Sequence, residues 1–434
     1  MIVLKFGGTS VGSSNALNHV VEIVKAANKP VVVVSAFSKM TDALLTCITR
    51  NYAKPYQAIV DRHKNMLKDL NLDETLVDFL LTELKDVLEQ QEGRDEKQLQ
   101  DEVVSFGERL SSIIIAEYFR QNNINAKAYN AYDIGFITDN NFTEAHPLPS
   151  SLTAIRKTLK NLDHIPVITG FIAKDNQGNI TTLGRGGSDF SAAFIGKAIN
   201  AEEIQIWTDV NGMLSADPKI VKNPQLIHKL SFTESGELAY FGAKVLHPKT
   251  IKSAIDRNIP VRVLNTFEPQ QEGTLITKES TFSSVAIKAM TAKKNVTIVN
   301  ICSSRMLFAY GFLAKIFSVF AKYKMSIDIV ATSELSVSMS IEANEKLEEL
   351  QTELAHLGTV TLFPHKAIIC LVGEDIKNDI TLFGEVFSTL AKHNIPVDLI
   401  SQGASKVNLT FVVDNEHADK AVQILHAHFI EGKR

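Results

Sequence analysis

Slid against itself by 70 residues, the last third of this 434-residue chain matches itself. Phe317-Ser318-Val319-Phe320-Ala321-Lys322-Tyr323-Lys324-Met325-Ser326-Ile327-Asp328 aligns with Phe387-Ser388-Thr389-Leu390-Ala391-Lys392-His393-Asn394-Ile395-Pro396-Val397-Asp398, with five identities in twelve positions. At the same offset Val337-Ser338-Met339-Ser340-Ile341 meets Val407-Asn408-Leu409-Thr410-Phe411. Each copy reads strand, loop, helix, strand, alternating strand and helix, the last helices at Glu345–Leu357 and His417–His428. That order is the split βαβ of a βαββαβ module, and its recurrence makes a tandem. One such module exposes a sheet face and edge strands, so two are expected to pair, leaving a loop-to-helix groove for a small ligand. The copies span about 295–364 and 365–434, with strands that the two can share.

The rest of the chain follows another grammar. Ile2–Phe6 is a short apolar strand, Gly7-Gly8-Thr9-Ser10 a tight loop, Asn15–Ala27 a helix and Val31–Val34 a second apolar strand. Two continuous apolar strands around one helix imply a parallel sheet covered on both faces. The pattern returns with a strand at Pro166–Thr169, a helix at Ser188–Ile199, and strands at Ile204–Thr208 and Pro260–Leu264. Residues 56–104 read as a helical insertion with one apolar face. The Ser/Thr-rich stretch Thr277–Ser284 marks a boundary, giving a first domain over 1–282 and a second over 283–434.

Charge and cysteines narrow the class. With a net charge of −4 and no basic block, nucleic acid and anionic membrane are poor partners, so any phosphate site must come from local geometry. Cys47, Cys302 and Cys370 are too scattered for a disulfide framework, which fits a reducing, cytoplasmic setting. The opening apolar run of four residues is too short for a signal segment, and runs such as Ile113–Ala116 are too short to span a membrane.

Four stretches carry chemistry. In Lys5-Phe6-Gly7-Gly8-Thr9-Ser10 a lysine ends a strand and two glycines let backbone amides approach a phosphate. A tight turn with a solvent-facing lysine is an equal reading of that stretch alone. No Walker loop, Gly-x-Gly-x-x-Gly fingerprint or protein-kinase set occurs. Thr182-Leu183-Gly184-Arg185-Gly186-Gly187-Ser188-Asp189 flanks an arginine with three glycines before a helix, more chain freedom than capping requires. Its planar fork suits a carboxylate. Trp207-Thr208-Asp209-Val210-Asn211-Gly212, followed by Asp217-Pro218-Lys219, sits at the carboxyl end of a strand, where open α/β sheets bind ligands, although an ordinary Asx turn reads equally well. Phe241-Gly242-Ala243-Lys244-Val245-Leu246-His247-Pro248 sets a lysine in an apolar stretch, to snorkel out or to meet an anion.

Together with Ser105-Phe106-Gly107-Glu108, these strings closely resemble those of the aspartokinase family, lysine-sensitive monofunctional type, in the same order from residue 2 to about 430. The resemblance implies a three-layer αβα amino acid kinase fold with a mainly parallel sheet, followed by tandem ferredoxin-like ACT modules. It implies ATP-dependent phosphorylation of the L-aspartate β-carboxylate, with Mg²⁺ carried on the ATP phosphates and no protein metal site. Lys5, Asp189 and Lys244 are then the catalytic set, with Asp189 holding the two lysines. ATP would meet Lys5, Gly7, Gly8, Thr208, Asp209, Leu214, Asp217, Lys219, Lys244 and Val245. Leu214 stands where relatives often carry tyrosine, and Lys219 where arginine is usual. Aspartate would meet Ser35, Thr41, Glu108, Arg185, Gly186, Gly187 and Ser188. Feedback by L-lysine would use Met306, Ala309, Gly311, Phe312, Leu313, Ser326, Asp328, Thr332, Ser333 and Glu334, although Asp398 repeats Asp328, so that acid also reads as a feature of the module. A homodimer or higher homo-oligomer through the ACT modules is the expected assembly. The competing readings are a kinase of the same fold for another carboxylate or for carbamate, and a non-catalytic amino acid sensor.

Overall fold

The computed structural model describes residues 1–242, 248–279, 286–307, 309–342, 346–374, 376, 379–402 and 407–432. Lys244, Val245, the start of the expected helix at Glu345 and the end of the boundary stretch Thr277–Ser284 lie outside them. The chain forms two compact units. The first comprises Met1–Met213, Leu226–Phe232 and Val245–Ser280, the second Leu214–Gln225, Thr233–Lys244 and Thr281–Arg434.

The first unit is built on one sheet. Its strands are β1 (Ile2–Phe6), β2 (Pro30–Val34), β3 (Ala126–Tyr129), β4 (Ile165–Thr169), β7 (Ile204–Thr208), β8 (Lys229–Ser231), β9 (Val261–Asn265) and β10 (Thr274–Thr277), in the order β3-β4-β2-β1-β7-β9-β10-β8. A hairpin of β5 (Ile172–Lys174) and β6 (Ile180–Thr182) stands apart. Every described pairing in the main sheet is parallel except β9 with β10. Val31–Val34 are fully buried, which explains why these strands are apolar runs rather than alternating ones. The helices are α1 (Gly8–Val11), α2 (Ser14–Ala26), α3 (Met40–Leu45), α4 (Ala53–Asp69), α5 (Asp78–Glu89), α6 (Glu96–Gln121), α7 (Ser150–Leu159), α8 (Gly187–Ile199) and α10 (Pro248–Ile255). Ser13 caps α2 through the Ala16 amide, and Asp95 caps α6 through that of Gln98. Within α6, a Cβ on Gly107 would stand 2.7 Å from that of Ala36, so glycine lets this helix lie against the end of β2.

In the second unit α9 (Phe232–Tyr240) accompanies the tandem modules: β11 (Ala289–Cys302), α11 (Phe312–Lys322), β12 (Ile327–Thr332), β13 (Ser336–Glu342), α12 (Leu347–Leu354), β14 (Thr359–Val372), α13 (Ile380–Lys392), β15 (Leu399–Ser401), β16 (Asn408–Asp414) and α14 (Ala418–His426). One sheet runs through both modules in the order β12-β13-β11-β14-β16-β15. Its two long central strands stay paired with each other across a bulge, and each takes its other neighbour along half its length: β13 on Val296–Cys302 of β11, β16 on Lys366–Val372 of β14. Cys302 to Ile298 of β11 pair with Thr359 to Phe363 of β14 in the first module; Ala289 to Lys293 pair with Val372 to Ile368 in the second. The strand that completes the second module therefore precedes the first in sequence. Two separate cores result, one around Ile316, Phe320 and Met339, the other around Val386, Phe411 and Leu425. No helix among the described residues is long and apolar enough to cross a membrane.

Candidate active site

The carboxyl ends of β1, β2 and β7, the start of α8 and one face of α6 enclose a cleft of about 660 Å³ in the first unit. Lys5, at the end of β1, faces Asp189 in the first turn of α8, with Nζ 2.6 Å from Oδ1. Both side chains are mostly buried, so this is a desolvated ion pair whose aspartate neutralises and steadies the lysine. Gly7, Gly8, Ser35, Thr41, Glu108, Arg185, Gly186, Gly187, Ser188 and Thr208 line the same cleft. The Gly7 amide donates to the carbonyl of Trp207 at 3.1 Å, so it is committed to the sheet and any phosphate contact narrows to Gly8.

Glu108 and Arg185 present opposite charge types. Glu108 is 3 % exposed; its Oε1 accepts the Ala36 N–H at 3.0 Å, and Oε2 has no hydrogen-bond partner. Burial pushes its carboxyl up to about 8, against the pull of the Ala36 amide and of Lys5. Arg185 is exposed on a turn between Gly184 and Gly187 and makes no ion pair among the described residues. The cleft therefore holds a guanidinium and a carboxyl with unused hydrogen-bonding capacity, beside a charge-balanced lysine.

Of the other expected nucleotide contacts, Asp209, Leu214, Asp217 and Lys219 are not in the wall of this cleft. Asp209 does not line the cleft and accepts the Thr208 hydroxyl at 3.1 Å. Leu214, Asp217 and Lys219 belong to the second unit, where Asp217 Oδ1 accepts the Lys219 amide. Lys244 and Val245 are outside the described residues. The sequence reading missed Lys39, Gln100, Thr143 and Phe171, all of which line the cleft. Three of them have left-handed backbone, with φ of 62° at Lys39, 72° at Thr143 and 65° at Phe171. Such strain in non-glycine residues gathers at functional sites.

In the second unit, Gly311 has φ of 75° and opens α11, Phe312 is buried and Leu313 exposed. The Ala309 amide donates to the carbonyl of Met306. Asp328 and Thr332 belong to β12, Ser326 directly precedes it, and Ser333 and Glu334 form the turn after it. Asp328 Oδ1 receives Lys293 Nζ at 2.8 Å and the Tyr240 hydroxyl at 2.9 Å, while Oδ2 is buried without a partner. Lys293 also meets Glu342. The second module repeats the arrangement, with Lys366 between Asp398 and Asp414 at 2.7 and 2.6 Å. Burial acts to lower both lysines, but their paired acids win and raise them.

Residues 1–265 match the amino acid kinase family and residues 369–429 the ACT domain. Aspartokinase 1, chloroplastic, of Arabidopsis thaliana is 38 % identical over 456 residues, covering 99 % of this chain and 80 % of the relative. The crystal structure of E. coli aspartokinase III in complex with aspartate and ADP, an R-state, has a TM-score of 0.86 at 31 % identity over 98 % of this chain and 99 % of that one. Its complex with lysine and aspartate, a T-state, has a TM-score of 0.79 at 31 % identity, covering 99 % of each. This chain belongs to the amino acid kinase family and, within it, to the aspartokinases.

Proposed function

We propose that the protein transfers the γ-phosphoryl group of ATP to the side-chain carboxylate of L-aspartate, giving 4-phospho-L-aspartate, with L-lysine as feedback inhibitor. This is the first step of aspartate-family amino acid biosynthesis, which leads to lysine, threonine and methionine. One observation carries the reading: the Lys5–Asp189 pair at 2.6 Å lines the same cleft as Arg185 and Glu108. A carboxylate oxygen attacks the γ-phosphorus as the bond to the ADP oxygen breaks. The attacking group is already ionised near neutral pH, so no general base is needed. The work is to bring two anions together and offset the charge on the transferring group.

In this scheme Lys5 stands beside the moving phosphoryl group, held by Asp189, with Lys244 as the second cation. Arg185 grips a carboxylate of aspartate through two hydrogen bonds. Glu108 takes its ammonium through Oε2, and Thr41, Ser35 and Ser188 complete the polar wall. Mg²⁺ comes in on the ATP phosphates, held by them and by water; Asp189 in the cleft is taken up by Lys5, which fits a cation carried by the nucleotide. Lysine, with two ammonium groups, suits the acids Asp328 and Glu334, with the loop around Phe312 and Leu313 meeting its carboxylate. A homodimer or larger homo-oligomer is the assembly taken for the tandem modules. The three unpaired cysteines fit a cytoplasmic setting.

ADP release and hydroxamate trapping with aspartate, glutamate, acetylglutamate and carbamate as acceptors test the substrate; the reading requires aspartate to exceed the others. Arg185→Ala tests the grip. Loss of a charge-assisted pair worth about 1.5–3 kcal/mol should raise the aspartate KM at least about tenfold and leave that for ATP nearly unchanged. Equal effects on both would remove the assignment.

A further inference from the structure

We propose that Asp101 is a positioning residue for substrate capture: from inside the first unit it fixes the two chain segments that decide where Arg185 stands. The proposal rests on the reading of Arg185 as the carboxylate grip.

Asp101 lies on α6, is fully buried, and is not part of the cleft wall. Its Oδ2 accepts the amides of Thr143 and Thr182, both at 2.9 Å, and Oδ1 accepts the Thr182 hydroxyl at 2.7 Å. These donors come from segments far apart in sequence. Thr182 ends β6 and leads through Leu183 into the turn bearing Arg185. Thr143 belongs to the loop beneath that turn. Its φ of 72° is costly for a β-branched residue and needs outside support.

The two segments are tied to each other as well. The Ala145 amide donates to the carbonyl of Thr182 at 2.8 Å. A Cβ on Gly184 would stand 3.2 Å from the carbonyl oxygen of Thr143, so the arginine turn rests on the strained loop. The Gly187 amide closes the turn onto the carbonyl of Gly184 at 3.0 Å. A carboxylate with three donors is the centre of this assembly. Burial pushes its carboxyl up, while the same three hydrogen bonds pull it down.

Glu108 lies seven residues further along α6, about two turns, and so on the same side of the helix. One rigid element thus serves both ends of the substrate: Glu108 directly at the ammonium, and Asp101, through its two loops, at the arginine that meets the carboxylate. A dicarboxylic amino acid of one length is selected by the fixed distance between those ends.

The test is steady-state kinetics of the full chain carrying Asp101→Asn, Thr182→Val, Arg185→Ala, or Asp101→Asn with Arg185→Ala. Asparagine keeps the shape, and its carbonyl oxygen can still take both loop amides with its NH2 turned to the Thr182 hydroxyl, but it replaces charge-assisted bonds with weaker neutral ones. It should raise the aspartate KM about tenfold, with kcat and the ATP KM within about threefold. Thr182→Val removes only the hydroxyl bond and should raise that KM about threefold, which keeps the test decisive if Asp101→Asn does not fold. In the double variant the aspartate KM should match that of Arg185→Ala alone. A loss of kcat or of active protein with both KM values unchanged would assign Asp101 a structural role only and overturn the proposal, as would full multiplication of the two effects. Should Arg185→Ala itself leave the aspartate KM unchanged, the reading of Arg185 fails and takes this route with it. A large Arg185→Ala effect beside silent Asp101→Asn and Thr182→Val overturns the positioning role alone.

Discussion

Glu108 in the first unit and Asp328 in the second are both carboxylates with one buried oxygen that lacks a hydrogen-bond partner. They differ in what holds the other oxygen. At Glu108 it is a neutral backbone amide, that of Ala36, and burial raises the carboxyl to about 8. At Asp328 it is the Lys293 ammonium, with the Tyr240 hydroxyl as a second donor. An incoming ammonium must therefore displace a proton at Glu108, whereas at Asp328 it shares a carboxylate that already has a cation. On the proposed reading, substrate capture is a proton-coupled event and effector capture an exchange within an ion cluster. The second module sharpens the point. Lys366 and Asp398 repeat the ion pair, but Asp398 is 41 % exposed where Asp328 is 3 % exposed beneath Tyr240. The pair itself belongs to the module; the enclosure is peculiar to the first copy.

The largest effect should come from splitting the two modules. Asp328→Ala should raise the lysine concentration for half-inhibition about a hundredfold, as expected for a charged hydrogen bond near 3 kcal/mol, without changing kcat. Asp398→Ala should move it less than about threefold. Retained lysine sensitivity in the first variant would remove the effector site, and equal loss in both would make the enclosure irrelevant. Next, Glu108→Gln should raise the aspartate KM about tenfold or more while sparing that for ATP. A smaller effect concerns pH. Below about 8 the free Glu108 carries the proton that aspartate must expel, so binding should release a proton and tighten as pH rises, levelling off above about 8. The aspartate KM should fall by up to about tenfold per pH unit in that window. The Glu108→Gln variant should lose this slope, and wild-type lysine inhibition should vary by less than about twofold over the same range. An aspartate KM independent of pH would place the ionised form of Glu108 in the free enzyme.

Much of this was legible in the chain itself. Lys5 and the Gly184–Asp189 string stand out because glycine beside a cation before a helix has few purely structural uses, and both meet in one cleft. The offset of 70 residues exposed the tandem because helix, strand and acid recur in phase. What stayed hidden depends on contacts between distant segments. Nothing about lysine, threonine or phenylalanine signals left-handed backbone, so Lys39, Thr143 and Phe171 could not be placed at the cleft. The Thr143 conformation is supported by Asp101, 42 residues away. Lys293 lies 35 residues before Asp328 and Tyr240 lies 88 before it, so the cluster around that acid was invisible to local patterning. Lys293-Lys294-Asn295 and Pro364-His365-Lys366 break the apolar runs of β11 and β14 near the bulge, but which strand lies beside which half follows only from the pairing.

The central claim is that a lysine anchored by an aspartate at the edge of a parallel sheet carries phosphate onto aspartate. Lys5→Ala tests it most directly, by hydroxamate trapping of the acyl phosphate formed from aspartate and ATP. The account predicts a kcat lower by about a hundredfold, with the aspartate KM within a few-fold of wild type, because a charge facing the transferring group acts mainly in the transition state. An unchanged kcat, or loss confined to the aspartate KM, would contradict it.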